Sequence, residues 1–145
     1  MSTLERLKAD TATALKGGDR ERVNALRLIT SELQKAEKEG AGATEESAVL
    51  QRERKRRLEA ADAYEEAGRD DLAGAERREA EVIEDYMPEQ LSDGDLDAIV
   101  GDAVAESGAS SPRELGKVMS MVMPRVQGRA DGARVSAAVR EKLTA

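Results

Sequence analysis

Four cations and two glycines near the carboxyl end are the residues of this chain best spaced for a chemical task. Lys117, Arg125, Arg129 and Arg134 bracket the run Gln127-Gly128-Arg129-Ala130-Asp131-Gly132. Guanidinium and ammonium groups meet phosphate oxygens through charge-assisted hydrogen bonds. Gly128 and Gly132 permit close backbone approach, and the start of a following helix offers N–H groups to an anion. Together these point to grip on a polyanionic backbone, RNA in particular, rather than to bond making. The plainer alternative is an inter-helix turn in which Asp131 caps the next helix. Its carboxylate then occupies the place an anion would take.

Other candidates are weaker. Met119, Met121 and Met123 cannot share one helix face at a spacing of two. The spacing puts Met119 and Met123 on the core side and turns Met121 outward, where an adaptable thioether suits a partner contact. Arg52, Arg54, Lys55, Arg56 and Arg57 spread around a helix axis, so pairing with Glu53, Glu59 or carboxylates of the next helix is expected. Glu76, Glu79, Glu84 and Asp85 could suggest a metal site, but helical di-metal sites add a His three residues after a Glu. The chain has no His. Glu79 is instead expected to be neutralised across a hairpin by the Arg-rich helix, with Tyr86 and Met87 closing the bottom of that core.

Composition narrows the classes further. With no Cys there is no disulfide, thiolate metal site or Cys nucleophile. Without His the commonest general base near neutral pH is missing. No cofactor and no metal are expected. No apolar run reaches the ~20 residues of a membrane span, and MSTLERLKADTATALKGG lacks the apolar stretch of a signal peptide. A cytoplasmic protein that does not enter membranes is expected. The net charge is −7, distributed unevenly. Residues 1–88 hold 16 basic and 21 acidic side chains, residues 89–110 six acidic and no basic ones, and residues 111–145 seven basic and three acidic ones. A basic end on an acidic protein could form a local phosphate patch.

The elements that must position these residues read as helices throughout, so the fold class is all-α. Ser2 or Thr3 caps a first helix with Leu4, Leu7, Thr11 and Leu15 near one face, ended by Gly17-Gly18. Asp19 caps a second, which carries Val23, Leu26, Ile29, Thr30, Leu33 and Ala36 to about Glu39. After a flexible break at residues 39–43, Thr44 caps a third through Leu50, Leu58, Ala61 and Tyr64, stopped by Gly68. A fourth carries Leu72, Ala75, Glu79, Val82, Ile83 and Tyr86 to Pro88. This gives an N-terminal four-helix part, residues 1–88, built from two helical hairpins. Residues 89–145 follow as a three-helix bundle. Ser92 with Asp95 opens its first helix, which Gly108 ends. Ser111-Pro112-Arg113-Glu114 opens the second, with Leu115, Val118, Met119 and Val122 inward and a halt near Pro124. Asp131 opens the third, with Val135, Ala138, Val139 and Leu143 inward.

Several ordered motifs carry a resemblance. They are Val23-x-x-Leu26-Arg27, Ala63-x-x-Glu66-x-Gly68-Arg69, Glu76-x-x-Glu79 and Tyr86-Met87-Pro88-x-Gln90-Leu91-Ser92. Gly116-Lys117-Val118-Met119, Met123-Pro124, Gly128-Arg129-Ala130-Asp131-Gly132 and Val135-Ser136-x-x-Val139 follow. In this order the chain resembles YqeY-type proteins of the GatB/YqeY family, with Met87 where Leu is frequent. The resemblance implies that the C-terminal unit is similar to the tail domain of the GatB subunit of tRNA-dependent amidotransferases. That tail contacts the tRNA body, and chemistry occurs elsewhere. Neither the cradle domain that holds ATP, metal and acyl-tRNA nor an amidase-like glutaminase is present in these residues. The expected function is therefore a non-catalytic RNA-binding accessory protein, with tRNA or aminoacyl-tRNA as partner. Lys117, Arg125, Arg129 and Arg134 would contact phosphates, and Gly128 and Gly132 would admit the backbone. The alternative is a protein-interaction adaptor for an amidotransferase or an aminoacyl-tRNA synthetase. Carbon–nitrogen ligase activity with glutamine as amido-N donor is the weakest reading.

Overall fold

Ser2 opens the first helix through a reciprocal capping box. Its hydroxyl accepts from the Glu5 N–H, and the Glu5 carboxylate accepts from the Ser2 N–H. In the computed structural model, which describes residues 1–40 and 43–144 apart from the side chains of 43–45, such local signals set most helix ends. The protein is all-α, and no strand occurs among the described residues. The helices gather into two compact units, Met1–Met87 and Pro88–Ala145.

The N-terminal unit contains α1 (Thr3–Lys16), α2 (Arg20–Lys38), α3 (Ala43–Glu66) and α4 (Asp70–Glu84). Asp19 caps α2 by accepting from the Arg22 N–H at 3.1 Å. The α3–α4 connection turns at Gly68, whose φ of 75° favours glycine. Of the expected break at residues 39–43, Ala41 and Gly42 lie outside the described residues. Helix α3 already begins at Ala43, ahead of Thr44, whose capping side chain also lies outside them. The core gathers Leu7, Leu26, Ile29, Leu33, Leu50, Ile83 and Tyr86, with Met87 packed against it. Leu15, expected inside, is instead 54% exposed, and Ala14 takes the inward position. Among the described helices α1 lies against α2 alone. A helix with one helical neighbour buries one narrow stripe, here Leu7 and Ala14.

The C-terminal unit contains α5 (Asp93–Ser107), a 3₁₀ turn (Pro112–Glu114), α6 (Leu115–Val126) and α7 (Gly132–Thr144). Ser92 caps α5, and Ser111 with Glu114 forms the expected capping box. The three residues after Ser111 are 3₁₀, however, so α6 proper starts at Leu115. Its core is an aliphatic stack: Val100, Val118, Val122, Val126, Val135 and Val139 are fully buried. Helix α6 does not halt at Pro124 but runs two residues further, ending where Gln127 adopts φ 49°. Pro124 removes one backbone donor. Near a helix end that loss is small, and burial of Val126, eight residues after Val118 on the same stripe, favours continuing.

Candidate functional site

The structure does not gather the four predicted cations into one cradle. Lys117 and Arg125 turn to the C-terminal end of α5. The Lys117 ammonium donates to the Ser107 carbonyl at 3.0 Å, and Arg125 forms an ion pair with Glu106. Arg134, in the first turn of α7, pairs at 2.8 Å with Asp93 at the opposite end of α5. Arg129 donates through Nε to the Val126 carbonyl at 3.3 Å. The hydrogen bond to Glu106 raises the pKa of Arg125 above the ordinary arginine value. Two of the four cations thus have a carboxylate partner, and the other two bond to backbone carbonyls.

The turn between α6 and α7 is tied inward. Gly128 takes the positive φ expected of it, 77°, and its carbonyl accepts from the Gln90 side chain at 3.3 Å. The Gln127 and Arg129 N–H groups bond to the carbonyls of Met123 and Val126, and the Arg129 carbonyl accepts from the Leu91 N–H at 2.7 Å. Asp131 caps α7 by accepting from the Arg134 N–H at 2.8 Å. Its carboxylate therefore sits at the helix N-terminus, where it opposes an added anion. A Cβ at Gly132 would meet open space, so close packing does not require glycine there.

The methionines differ from the spacing argument. Met119 and Met121 both pack partly against the C-terminal core, whereas Met123 is 39% exposed. The buried stripe of α6 is Val118, Val122 and Val126. Met121 and Met123 flank it on opposite sides, and tertiary neighbours rather than periodicity determine which flank closes.

The basic run of α3 pairs as expected. Arg54 meets Glu84 at 2.7 Å, Lys55 meets Glu59 at 3.9 Å and Arg56 meets Glu53 at 3.3 Å. Arg57 joins both Glu53 and, across the hairpin at 3.5 Å, Glu79. Glu53 is 4% exposed, a buried charge satisfied by two arginines. Burial, and then the neighbouring Glu76 charge, push the Glu79 carboxyl above its ordinary value despite Arg57. Beside it a cavity of about 360 Å³ is lined by Glu21, Arg22, Arg78 and Asp85, among others. Four of its charges form pairs, Arg78 with Glu21 at 2.6 Å and Arg22 with Asp85 at 3.5 Å. This is an ion network that ties α2, α3 and α4 together. The described residues contain no group of three His, Cys, Asp or Glu side chains that could hold a metal ion.

Sequence reasoning missed a second polar group in the same unit. The buried Tyr86 hydroxyl donates to Asp10, and the Arg6 guanidinium lies 4.9 Å from the Tyr86 ring centroid. Asp10 and Tyr86 are 76 positions apart, so no local spacing announces the pair.

Known proteins resemble this chain over nearly its whole length. The chain is 29% identical over 148 aligned positions to altered inheritance of mitochondria protein 41, mitochondrial, of Pyrenophora tritici-repentis. The alignment covers 98% of this chain and 81% of that relative. The family model for Yqey-like proteins matches residues 4–143, nearly the whole chain, and the protein therefore belongs to the Yqey-like family.

Proposed function

We propose that this protein is a non-catalytic accessory protein that works by docking to another protein. An amidotransferase or an aminoacyl-tRNA synthetase is the partner class that the GatB likeness suggests. The observation that carries the reading is where unused binding capacity lies. Lys117, Arg125, Arg129 and Arg134 each bond within the chain, whereas the N-terminal unit leaves Leu15 and Leu28 half exposed. The cytosol is the proposed compartment. The word mitochondrial belongs to the relative's name, and no described helix is long and apolar enough to cross a membrane. Sedimentation of the full chain with a purified amidotransferase or synthetase, both nuclease-treated, tests the reading. Co-migration is expected, and independent migration of every enzyme of both classes would remove it.

RNA binding through the C-terminal unit, with tRNA as ligand, is the second reading. One observation favours it: Lys117 and Arg129 bond to backbone carbonyls and form no salt bridge with a described carboxylate. Exposed ion pairs such as Arg134–Asp93 contribute little and can exchange for phosphate contacts. Titration with total tRNA should then give binding that weakens steeply with salt and is lost in the Lys117→Ala, Arg129→Ala double variant. Salt-insensitive binding, or no effect of the variant, would exclude this reading.

A further inference from the structure

We infer that the groove between α1 and α2 is a docking site for an acidic amphipathic helix of a partner protein. This names the partner chemistry of the protein-docking reading above and rests on it. The groove has a volume of about 590 Å³ and a floor that includes Leu4, Ala12 and Leu15. It continues past Leu15 and Arg27 into a neighbouring hollow that reaches Arg20. From Leu4 to Leu15 the wall spans about three helical turns, roughly 16 Å at 1.5 Å per residue. That length matches apolar anchors at i, i+4, i+7 and i+11 of a docked helix.

The polar groups that line the groove do not compete for that role. Thr11 and Thr30 donate their hydroxyls to the Leu7 and Leu26 carbonyls of their own helices, at 2.6 and 2.7 Å. Glu5 and Asp19, the acids lining the two hollows, accept from the N–H groups of Ser2 and Arg22 at the helix starts. Lys8, Arg20 and Arg27 are exposed and have no carboxylate partner among the described residues. An apolar trough edged by three cations without a salt-bridge partner among the described residues, which outnumber the two capping carboxylates, is complementary to a helix with leucine-like anchors and flanking carboxylates.

The same features disfavour other occupants. A nucleic acid would satisfy the cations and leave the leucines wet. A second copy of this chain has one helix with acids and no bases, α5 (DGDLDAIVGDAVAES), and its apolar residues Leu96, Val100 and Ala103 are already buried in the C-terminal core.

The test uses the full chain and a fluorescein-labelled synthetic peptide of about 16 residues, with Leu at the four anchor positions and Glu and Ala elsewhere. Anisotropy should show saturable binding, and a scrambled peptide of the same composition should bind at least about ten-fold more weakly. Leu15→Glu and Arg27→Glu alter exposed side chains that make no ion pair, so helicity and melting should be retained. Each should weaken the peptide about ten-fold, and Arg27→Glu should gain affinity for the peptide with Lys in place of Glu. Equal binding of the scrambled peptide, or unchanged binding by both variants, overturns the proposal. So does a concentration-dependent dimer dispersed by Leu15→Glu, or binding of total tRNA or phosphatidylglycerol vesicles that these variants abolish. If a purified synthetase or amidotransferase co-migrates equally with wild type and both variants, the groove assignment fails while the adaptor reading stands. If the peptide behaves as expected and no such enzyme co-migrates, the adaptor reading fails while the groove assignment stands.

Discussion

The N-terminal unit buries one charged cluster, around Arg57, beside a leucine-rich core; the C-terminal unit has a core of stacked valines, and its ion pairs lie at the surface. Glu53, Arg57 and Glu79 bind α3 to α4 where Ala61, Ala73 and Ala80 are buried, and Tyr86 with Asp10 closes the other end. Against this, Val100, Val118, Val122, Val126, Val135 and Val139 need no polar partner. Buried charges fix a geometry because alternatives leave them unpaired. Small aliphatic side chains fix it through volume and shape. The contrast also bears on the proposed docking site. The N-terminal unit also leaves apolar surface, and cations without an ion-pair partner among the described residues, on α1 and α2. In the other unit Arg125 and Arg134 pair with Glu106 and Asp93.

The sharpest way to break this comparison is Arg57→Ala. It leaves Glu53, 4% exposed, with only the largely exposed Arg56 for compensation, and it removes the partner of Glu79. A loss of about 3 kcal/mol is expected from stranding a buried charge, read by urea unfolding at pH 7. A loss below about 1 kcal/mol would mean that water reaches the carboxylate and that the pairing is incidental. In the C-terminal unit the matching probe is Val122→Ala. Removing two methyl groups from a fully buried site should cost about 2 kcal/mol, with little collapse of the stack around it.

Tyr86→Phe sharpens the comparison with pH. The phenol is held well above its ordinary value of 10.0, first by burial and then by its hydrogen bond to Asp10. The native state keeps a proton that the unfolded chain releases. The contribution is therefore complete below about pH 10 and declines as pH rises towards the folded-state value. The variant should lose about 1.5 kcal/mol at pH 7, because Asp10 is left without its donor. The gap between wild type and variant should narrow above pH 10. A constant gap up to pH 11 would mean that the phenol titrates alike in both states.

How far the sequence announces all this depends on the range of each interaction. Ser2, Asp19, Ser92, Ser111 and Asp131 are legible as caps because donor and acceptor lie two or three residues apart. Gly68 and Gly108 are legible as stops because a positive φ is a property of one residue. The pairing of the α3 arginines is legible in kind, since acids stand one turn away on the same helix. Leu15, Met123 and Pro124 are misread because the answer depends on which neighbour packs against which flank. The internal partners of the candidate cradle are illegible for the same reason. Arg125 and Arg134 find their carboxylates 19 and 41 positions away, and nothing in GKVM…MP…GRADG announces Glu106 or Asp93.

The smallest effect is expected at Arg134, and it bears on what the surface pairs of the C-terminal unit are for. Its partner Asp93 is 95% exposed and Arg134 itself 31%, so water and salt screen the pair. Arg134→Ala should change stability by no more than about 0.5 kcal/mol, and the coupling to Asp93→Ala in a double-mutant cycle should be smaller still. A coupling above about 1 kcal/mol would make the pair a structural tie like those of the N-terminal unit. Arg134 would then be unavailable to any ligand. A coupling near zero leaves a guanidinium that stays beside Asp93 only until a stronger anion arrives, and that is the condition phosphate contact requires.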